Sequence, residues 1–170
     1  MTELEMLLRL VTATVAGALL GLDREMRGIS AGLRTHAMVA LSSAVITVSS
    51  ILIYEQFRTP SGDPVSDPLR AIQGLAQAIG FIAAGAIFFA RGRVKNLTSA
   101  ANIWLAAGLG IAAGAGQYVL VGIAMALGII VVTGVGFLER YLPRKRTPHD
   151  GDPDAEPGPV NRISGQRPKK

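Results

Sequence analysis

Five long apolar runs constrain the fold more than any other feature of this sequence. A helix that crosses the hydrocarbon layer of a membrane needs about 20 apolar residues. The first, second, third and fifth runs meet this requirement. The fourth run meets it only if its glycine-rich end is included, so a half-buried or re-entrant helix is the alternative for that run. The runs cover residues 6–22, 37–54, 71–90, 100–113 and 118–138. The sequence therefore predicts an all-α, polytopic transmembrane helical bundle with about five spans.

The composition is typical of helices that pack closely in lipid. Hydrophobic residues make up 49% of the chain and charged residues 17%, while glycine occurs 20 times. Small residues let helix backbones approach one another in a membrane. Cysteine is absent from the sequence, which excludes disulfides and thiolate metal sites within it.

The basic residues are distributed unequally among the loops. All but three of the 17 lysines and arginines follow the first, third or fifth run, the exceptions being Arg9, Arg58 and Arg70. Because positively charged short loops stay in the cytoplasm, we expect the N-terminus outside, an odd number of spans and the C-terminus in the cytoplasm. A net charge of +5 placed in this way indicates membrane orientation and contact with lipid rather than nucleic-acid binding. The acidic start, with Glu3 and Glu5, indicates that no signal peptide is cleaved.

The stretch GLDREMRGISAGLRTH, residues 21–36, concentrates charge between two apolar runs. Its arginines suit a cytoplasmic loop, but membrane orientation does not require Asp23, Glu25 or His36. One interpretation is a turn at the membrane surface whose charges pair with each other. The other is a functional polar surface.

Residues 143–170 have a different composition from the rest of the chain. They are rich in proline, glycine and charge and show no apolar periodicity, so they cannot bury enough apolar surface to fold. We expect a transmembrane domain at residues 1–142 and a disordered, basic and proline-rich cytoplasmic tail at 143–170.

Two long motifs, in the same order, resemble one known family. The first is GLDRE after the first apolar run, followed by AGLRTH at the start of the second. The second is AIGFIAAGAIFFARGRVKNLTSAANIWLAAGLGIAAGAG, residues 78–116. It is similar to a family pattern of GIGFLGAGVI, a basic turn with V-x-G-L-T-T-A-A, and a helix with W-x-x-A-x-x-G. On these motifs the sequence resembles the MgtC/SapB family of bacterial inner-membrane proteins.

The sequence departs from the family pattern at several positions. Ala78 and Ala83 replace glycines, Asn96 replaces the glycine before the leucine, and Asn102 stands where threonine is common. Members named for growth in limiting magnesium also carry a folded cytoplasmic domain after the fifth helix. Here the tail at 143–170 follows instead, so the sequence resembles the short branch that consists of the membrane domain alone.

The resemblance implies a regulatory membrane protein in magnesium homeostasis and adaptation to low Mg²⁺, often linked to virulence. Such a protein acts by contact with another membrane complex, which in studied relatives is the F-type ATP synthase. The alternative is a transporter of Mg²⁺ or another cation. A transporter is expected to place carboxylates at mid-membrane or to show an inverted repeat. The five apolar runs contain no Asp or Glu, which favours the regulatory role.

Polar residues inside the apolar runs need a separate interpretation. Gln73 and Gln77 are four residues apart and share a helix face, so we expect them to hydrogen bond across helices, with the lining of an ion path as the alternative. Asn102 adds an amide near the start of the fourth helix. Two stripes of small residues suit close helix contacts, either within one chain or in a homo-oligomer: Gly17 with Gly21, and Gly110 with Gly114.

Enzyme chemistry has little support in this sequence. It contains no catalytic triad pattern, P-loop or H-E-x-x-H motif, so we expect neither enzyme activity nor a cofactor. Asp23 and Glu25 could hold Mg²⁺ through water, but Arg24 and Arg27 already supply counter-charge, and we assign no metal site. We expect instead that the two cytoplasmic loops form one polar surface, made of Asp23, Arg24, Glu25, Arg34, His36, Arg91, Arg93, Lys95 and Asn96.

Overall fold

The computed structural model describes residues 1–29, 31–57, 67–90 and 93–141, most of which form five α-helices. Each helix corresponds to one of the apolar runs, which confirms the predicted helical bundle. The tail expected at 143–170 lies outside the described residues. The helices are α1 (Glu3–Met26), α2 (Leu33–Phe57), α3 (Pro68–Ala86), α4 (Leu97–Gly114) and α5 (Tyr118–Tyr141).

Local sequence signals fix where the helices begin. The Thr2 hydroxyl accepts a hydrogen bond from the Glu5 amide at 3.2 Å, and the Glu5 carboxylate accepts one from the Thr2 amide. This reciprocal pair is a capping box, and it satisfies amides that the first turn of α1 leaves without partners. At α3 the Asp67 carboxylate accepts from the Leu69 amide at 2.9 Å, and Pro68 occupies the first turn. Proline is favoured there because its missing amide proton costs no helical hydrogen bond.

The third apolar run is not helical along its whole length. The helix ends at Ala86, and two short strands follow, β1 (Phe88–Ala90) and β2 (Arg93–Lys95). They pair antiparallel, with Phe89 opposite Val94. The predicted helix is therefore wrong over its last turn, where aromatic and β-branched residues favour extended backbone.

The fourth helix lies at the centre of the bundle and contacts all the other helices. A Cβ atom added to Gly114 of α4 would lie 2.8 Å from the Ala44 carbonyl oxygen of α2. At the start of α2, a Cβ atom added to Gly17 of α1 would lie 2.5 Å from the His36 carbonyl oxygen. Both glycine stripes therefore serve contacts inside this chain. Such close approach matters in lipid, where van der Waals packing rather than the hydrophobic effect holds helices together.

Two contacts show that α4 runs antiparallel to α1 along most of its length. At one end, Arg9 Nη1 donates to the Gly114 carbonyl at 2.8 Å. At the other end, Arg24 donates to the Ser99 hydroxyl. On each helix the two positions are about 15 residues apart, or about 22 Å along the axis. The fourth helix therefore extends through the same thickness as the first, which supports a full crossing over a re-entrant turn.

Length and composition make α1, α2, α3 and α4 suitable for crossing a membrane. In α5 the apolar portion found among the described residues is Tyr118–Gly134, which is shorter. Large apolar side chains of this portion point away from the bundle, with Val119 78% and Ile130 62% exposed. Such a surface is stable only against lipid or another protein.

Candidate functional site

The turn between α1 and α2 directs its polar side chains both inward and outward. Arg24, near the end of α1, is 2% exposed, and His36, in the first turns of α2, is fully buried. Glu25 and Arg34 are exposed, and Asp23 is half-buried. The residues expected to form one polar surface therefore divide into a buried group and an exposed group.

The buried group is centred on the contact between Arg24 and Ser99. Arg24 Nη2 donates to the Ser99 hydroxyl oxygen, which joins the end of α1 to the first turn of α4. Ser99 is 1% exposed, so water does not compete for this hydrogen bond. Arg24 Nε has no hydrogen-bond partner within the part of the chain that the structure describes. A guanidinium held by one neutral hydroxyl gives this end of the bundle a positively charged interior.

The His36 ring lies against the turn that precedes it. Its Nδ1 atom is 2.8 Å from the Gly32 carbonyl oxygen. A carbonyl only accepts hydrogen bonds, so Nδ1 carries the proton, and in the neutral ring Nε2 is an acceptor. Among the described residues Nε2 has no partner. The Nδ1 atom of His36 therefore hydrogen bonds to the residue just before α2, and its Nε2 atom lies in the interior of the bundle.

Glu25 caps the second helix from outside it. Its Oε2 atom accepts from the Leu33 amide at 3.1 Å, which places a carboxylate at the positive end of the α2 dipole. The same carboxylate lies where a Cβ on Gly32 would be, so a side chain at position 32 would push the flexible end of Glu25 aside. Glycine in the AGLRTH motif therefore leaves room for this cap.

Asp23 pairs with Arg27 on the outside of α1. Asp23 Oδ1 and Arg27 Nε are 2.9 Å apart, and the side chains are 33% and 42% exposed. A pair of this kind, four residues apart on a helix, contributes about 0.3–0.5 kcal/mol. The interpretation of a charge-paired turn therefore holds for Asp23, whereas Arg34 is exposed and available to other molecules.

The second loop lies at the same end of the bundle as the first. Ala31 from the first turn packs on the same apolar cluster as Ile87, which follows α3. In the second loop Lys95 is exposed, and Arg93 belongs to β2. Arg91, the remaining basic residue of the predicted surface, lies outside the described residues.

Asn96 connects α3 to α4. Its backbone is left-handed, with φ of 67°, directly before α4 begins. Asparagine adopts this conformation more readily than any other residue except glycine. Its side-chain amide also donates to the Ala86 carbonyl at 3.2 Å, at the end of α3. The replacement of a glycine by Asn96 therefore preserves the turn and adds a hydrogen bond across it.

The three amides inside the apolar runs have different environments. Asn102 is 4% exposed, and its Nδ2 atom has no partner among the described residues. Gln73 and Gln77 share a face of α3 as predicted, but both are exposed. Among the described residues neither side chain hydrogen bonds to another helix, because their face is turned away from the bundle; hydrogen bonding across helices stays a prediction.

Sequence reasoning missed two residues whose side chains take part in joining α1 to α4, Ser99 at the site and Arg9 at the opposite end of the bundle. Ser99 was not singled out, although it precedes Asn102 by three residues and so shares its helix face. Arg9 was used only as evidence of orientation. It was nevertheless detectable as the only charged residue in the first apolar run, and its hydrogen bond to the end of α4 explains its position.

The profile of one family matches most of this chain. The matching family is described as the MgtC family, and the match covers residues 10–141. The chain belongs to the MgtC family. Together with its apolar helices, this membership identifies a multi-pass membrane protein.

Individual relatives of this MgtC-family chain match its membrane region. It is 37% identical over 102 residues to the "Putative magnesium transporter YhiD" of Escherichia coli, a match that covers 59% of this chain and 46% of the relative. It is 38% identical over 95 residues to "Protein MgtC" of Brucella abortus, covering 56% of this chain and 36% of the relative. It is 35% identical over 105 residues to "Protein SrpB" of Synechococcus elongatus, covering 57% and 56%.

The chain spans about half the length, or less, of these curated relatives. No solved structure matches it. Within the described residues, no group of three or more His, Cys, Asp or Glu side chains is placed to hold a metal ion. The polar groups that the structure brings together here are Arg24, Ser99, His36 and the charged residues around them.

Proposed function

We propose that this MgtC-family protein is a regulatory membrane protein in magnesium homeostasis, and that it acts by contact with another membrane complex. The positive interior formed by Arg24 and Ser99 is the observation that carries this proposal. A divalent cation moving along the contact between α1 and α4 would meet a buried positive charge, and in a poorly screened interior like charges repel strongly. The site therefore suits a fixed structural role better than a cation path.

The exposed part of the site supports contact with an acidic partner. Asp23 is paired with Arg27, and Glu25 is bound to the start of α2. Arg34 and Lys95 are exposed at the same end of the bundle. Complementary charge on a partner surface is a common basis for recognition and raises the rate of association. By family resemblance, the F-type ATP synthase is the partner we propose.

A magnesium transporter is the second candidate. The E. coli relative that is 37% identical over 102 residues is named a putative magnesium transporter. This name belongs to that relative, of which the match covers 46%. The two candidates predict different results with the purified protein.

Magnesium flux separates the two candidates. The purified protein is reconstituted in liposomes that contain a Mg²⁺-sensitive dye, and Mg²⁺ is added outside. For a regulator we expect the same flux as in protein-free liposomes, while the same gene restores growth of a deletion strain in limiting Mg²⁺. Protein-dependent Mg²⁺ entry would overturn the proposal and establish the transporter.

Co-purification tests the partner contact. The protein is isolated from native membranes in mild detergent, and the subunits that accompany it are identified by mass spectrometry. We expect ATP synthase subunits with the native protein and with Arg70→Glu, and fewer with Arg34→Glu. The two substitutions are identical in charge, and both residues are exposed, but Arg70 lies in the first turn of α3, at the opposite end of the bundle. Equal recovery with both variants, or no recovery with the native protein, would contradict the proposed contact.

We also propose an inner-membrane location with the N-terminus outside and the C-terminus in the cytoplasm. The distribution of basic residues supports this orientation. Reporter fusions after Arg146 and within residues 62–67 should report opposite sides of the membrane. If both report the same side, the orientation is wrong.

A further inference from the structure

The third helix carries two polar side chains on the face that it turns away from the bundle. Leu75, Ile79 and Ala83 bury the inner face of α3 against its neighbours. Gln73 and Gln77 lie on the outer face, and both are exposed. With nine residues on either side of it in Pro68–Ala86, Gln77 occupies the middle of the helix.

A primary amide at this depth in lipid has no solvent to bond with. The hydrocarbon layer is about 30 Å thick, and a helix of this length crosses about 28 Å of it. An amide transferred into hydrocarbon without a hydrogen bond is strongly unfavourable. In membrane proteins such residues face protein, so another protein surface is expected over the outer face of α3.

The rest of this face is shaped for close helix contact. Gly74, Ala78 and Gly85 are exposed, and no atom lies within 4 Å of where a Cβ on either glycine would be. Phe81 is 84% exposed, the most of any large apolar side chain described. The glycines and alanine leave a recess on this face, and the Phe81 ring projects beside it. Such a surface is complementary to itself, because the Phe81 ring of an identical helix fits into the recess.

We propose that the outer face of α3 is the interface with a second copy of this chain. An amide is both donor and acceptor, so Gln77 satisfies Gln77 of an identical partner about a two-fold axis along the membrane normal. Closed two-fold symmetry is the commonest arrangement of identical subunits. The face offers no charged group at mid-membrane that would call for an oppositely charged partner. The glycine stripes of α1 and α4 are already used within the chain, whereas Gly74 and Gly85 on the outer face of α3 contact nothing within it.

Single cysteines test this interface cleanly because the sequence contains none. Ala78→Cys places a thiol beside Gln77 and leaves both amides intact. Ile130→Cys, on the exposed face of α5, is the matched control. With copper phenanthroline as oxidant in native membranes, two thiols lose two electrons and two protons and form a disulfide. We expect a dimer of the 17.8 kDa chain with Ala78→Cys and monomer with Ile130→Cys.

Other cross-linking results would overturn the proposal. Equal dimer from both variants would show random collision, and no dimer from Ala78→Cys would show that the face is not a self-interface. A product of Ala78→Cys with a different protein would replace the second copy by that protein.

Removing the amides provides a second, quantitative measurement. Gln73→Leu and Gln77→Leu leave the inner face of α3 unchanged, so the monomer should fold and melt as before. In liposomes, energy transfer between labelled chains reports the dimer fraction at a chosen protein-to-lipid ratio. We expect the dissociation constant to rise roughly five-fold for each amide removed, as interhelical hydrogen bonds in membranes typically give. An unchanged constant would show that the amides do not hold the dimer. This inference does not depend on the magnesium proposal, because dimerisation can succeed or fail whether or not Mg²⁺ is affected.

Discussion

Replacing Ser99 by alanine should destabilise the bundle only while Arg24 is present. The Ser99 hydroxyl accepts from the buried guanidinium, and hydrogen bonds to charged groups contribute about 1.5–3 kcal/mol. In Ser99→Ala the charge stays buried and loses this partner. We therefore expect a loss of about 2 kcal/mol in the free energy of unfolding, within that range.

The same substitution should have little effect in an Arg24→Met background. Methionine fills a similar volume without charge, and replacing a buried charge with a well-packed apolar residue is often neutral or stabilising. With no guanidinium to satisfy, the change from Ser99 to alanine should then cost less than about 0.5 kcal/mol, the range of substitutions that remove no specific contact. The coupling energy between the two positions should be about 2 kcal/mol, which is within the range for residues in one hydrogen-bond network.

Melting of the purified protein in detergent measures this cycle. A loss of about 2 kcal/mol corresponds to a fall of about 4–8 °C for a chain of this size. Thr98→Ala is the control, because Thr98 precedes Ser99 and is exposed; its melting temperature should not change. Equal falls for Ser99→Ala in the native and in the Arg24→Met backgrounds would refute the assigned role of the Arg24–Ser99 contact.

Three further comparisons test other parts of the structure. Gly110→Ala places a methyl group against the Ala40 carbonyl and should lower the free energy of unfolding by about 1–3 kcal/mol through overpacking. Gly108→Ala, on the same helix, meets no atom within 4 Å and should not destabilise the protein. Equal melting temperatures for the two variants would contradict the α2–α4 contact. Asn96→Ala should be about 1–2 kcal/mol less stable than Asn96→Gly, because only glycine tolerates the left-handed backbone without strain; the reverse order would show that the turn is not held at this φ. Asp23→Ala should reach normal membrane levels and restore growth in low Mg²⁺, as Glu55→Ala on the opposite end should, because the pair of Asp23 with Arg27 contributes at most about 0.5 kcal/mol and its loss leaves the Arg24–Ser99 and Glu25–Leu33 contacts in place. Failure of Asp23→Ala to restore growth at normal membrane levels would instead assign Asp23 to the functional surface.

The sequence by itself determined the number and approximate length of the helices. Hydropathy decides this, because a backbone in lipid must satisfy its own hydrogen bonds and a helix does so within one segment; the end of the third run, which forms β1, is the exception. The family could also be inferred from two motifs, GLDRE with AGLRTH and the stretch at 78–116. The sequence showed that Asn96 replaces a glycine, and the left-handed backbone there explains why this replacement is tolerated.

The direction of each polar side chain was decided only by the tertiary structure. Asp23 and Arg24 are neighbours in the sequence, yet one pairs at the surface and the other is buried against α4. Adjacent residues on a helix point about 100° apart, and which of them faces the interior depends on the rotation of α1 against its partners. Gln73 and Gln77 show the same dependence, since their spacing predicts a shared face and the packing of α3 through Leu75 and Ile79 turns that face outward. Spacing along one helix fixes which residues share a face, and only contacts with the other helices fix where that face points.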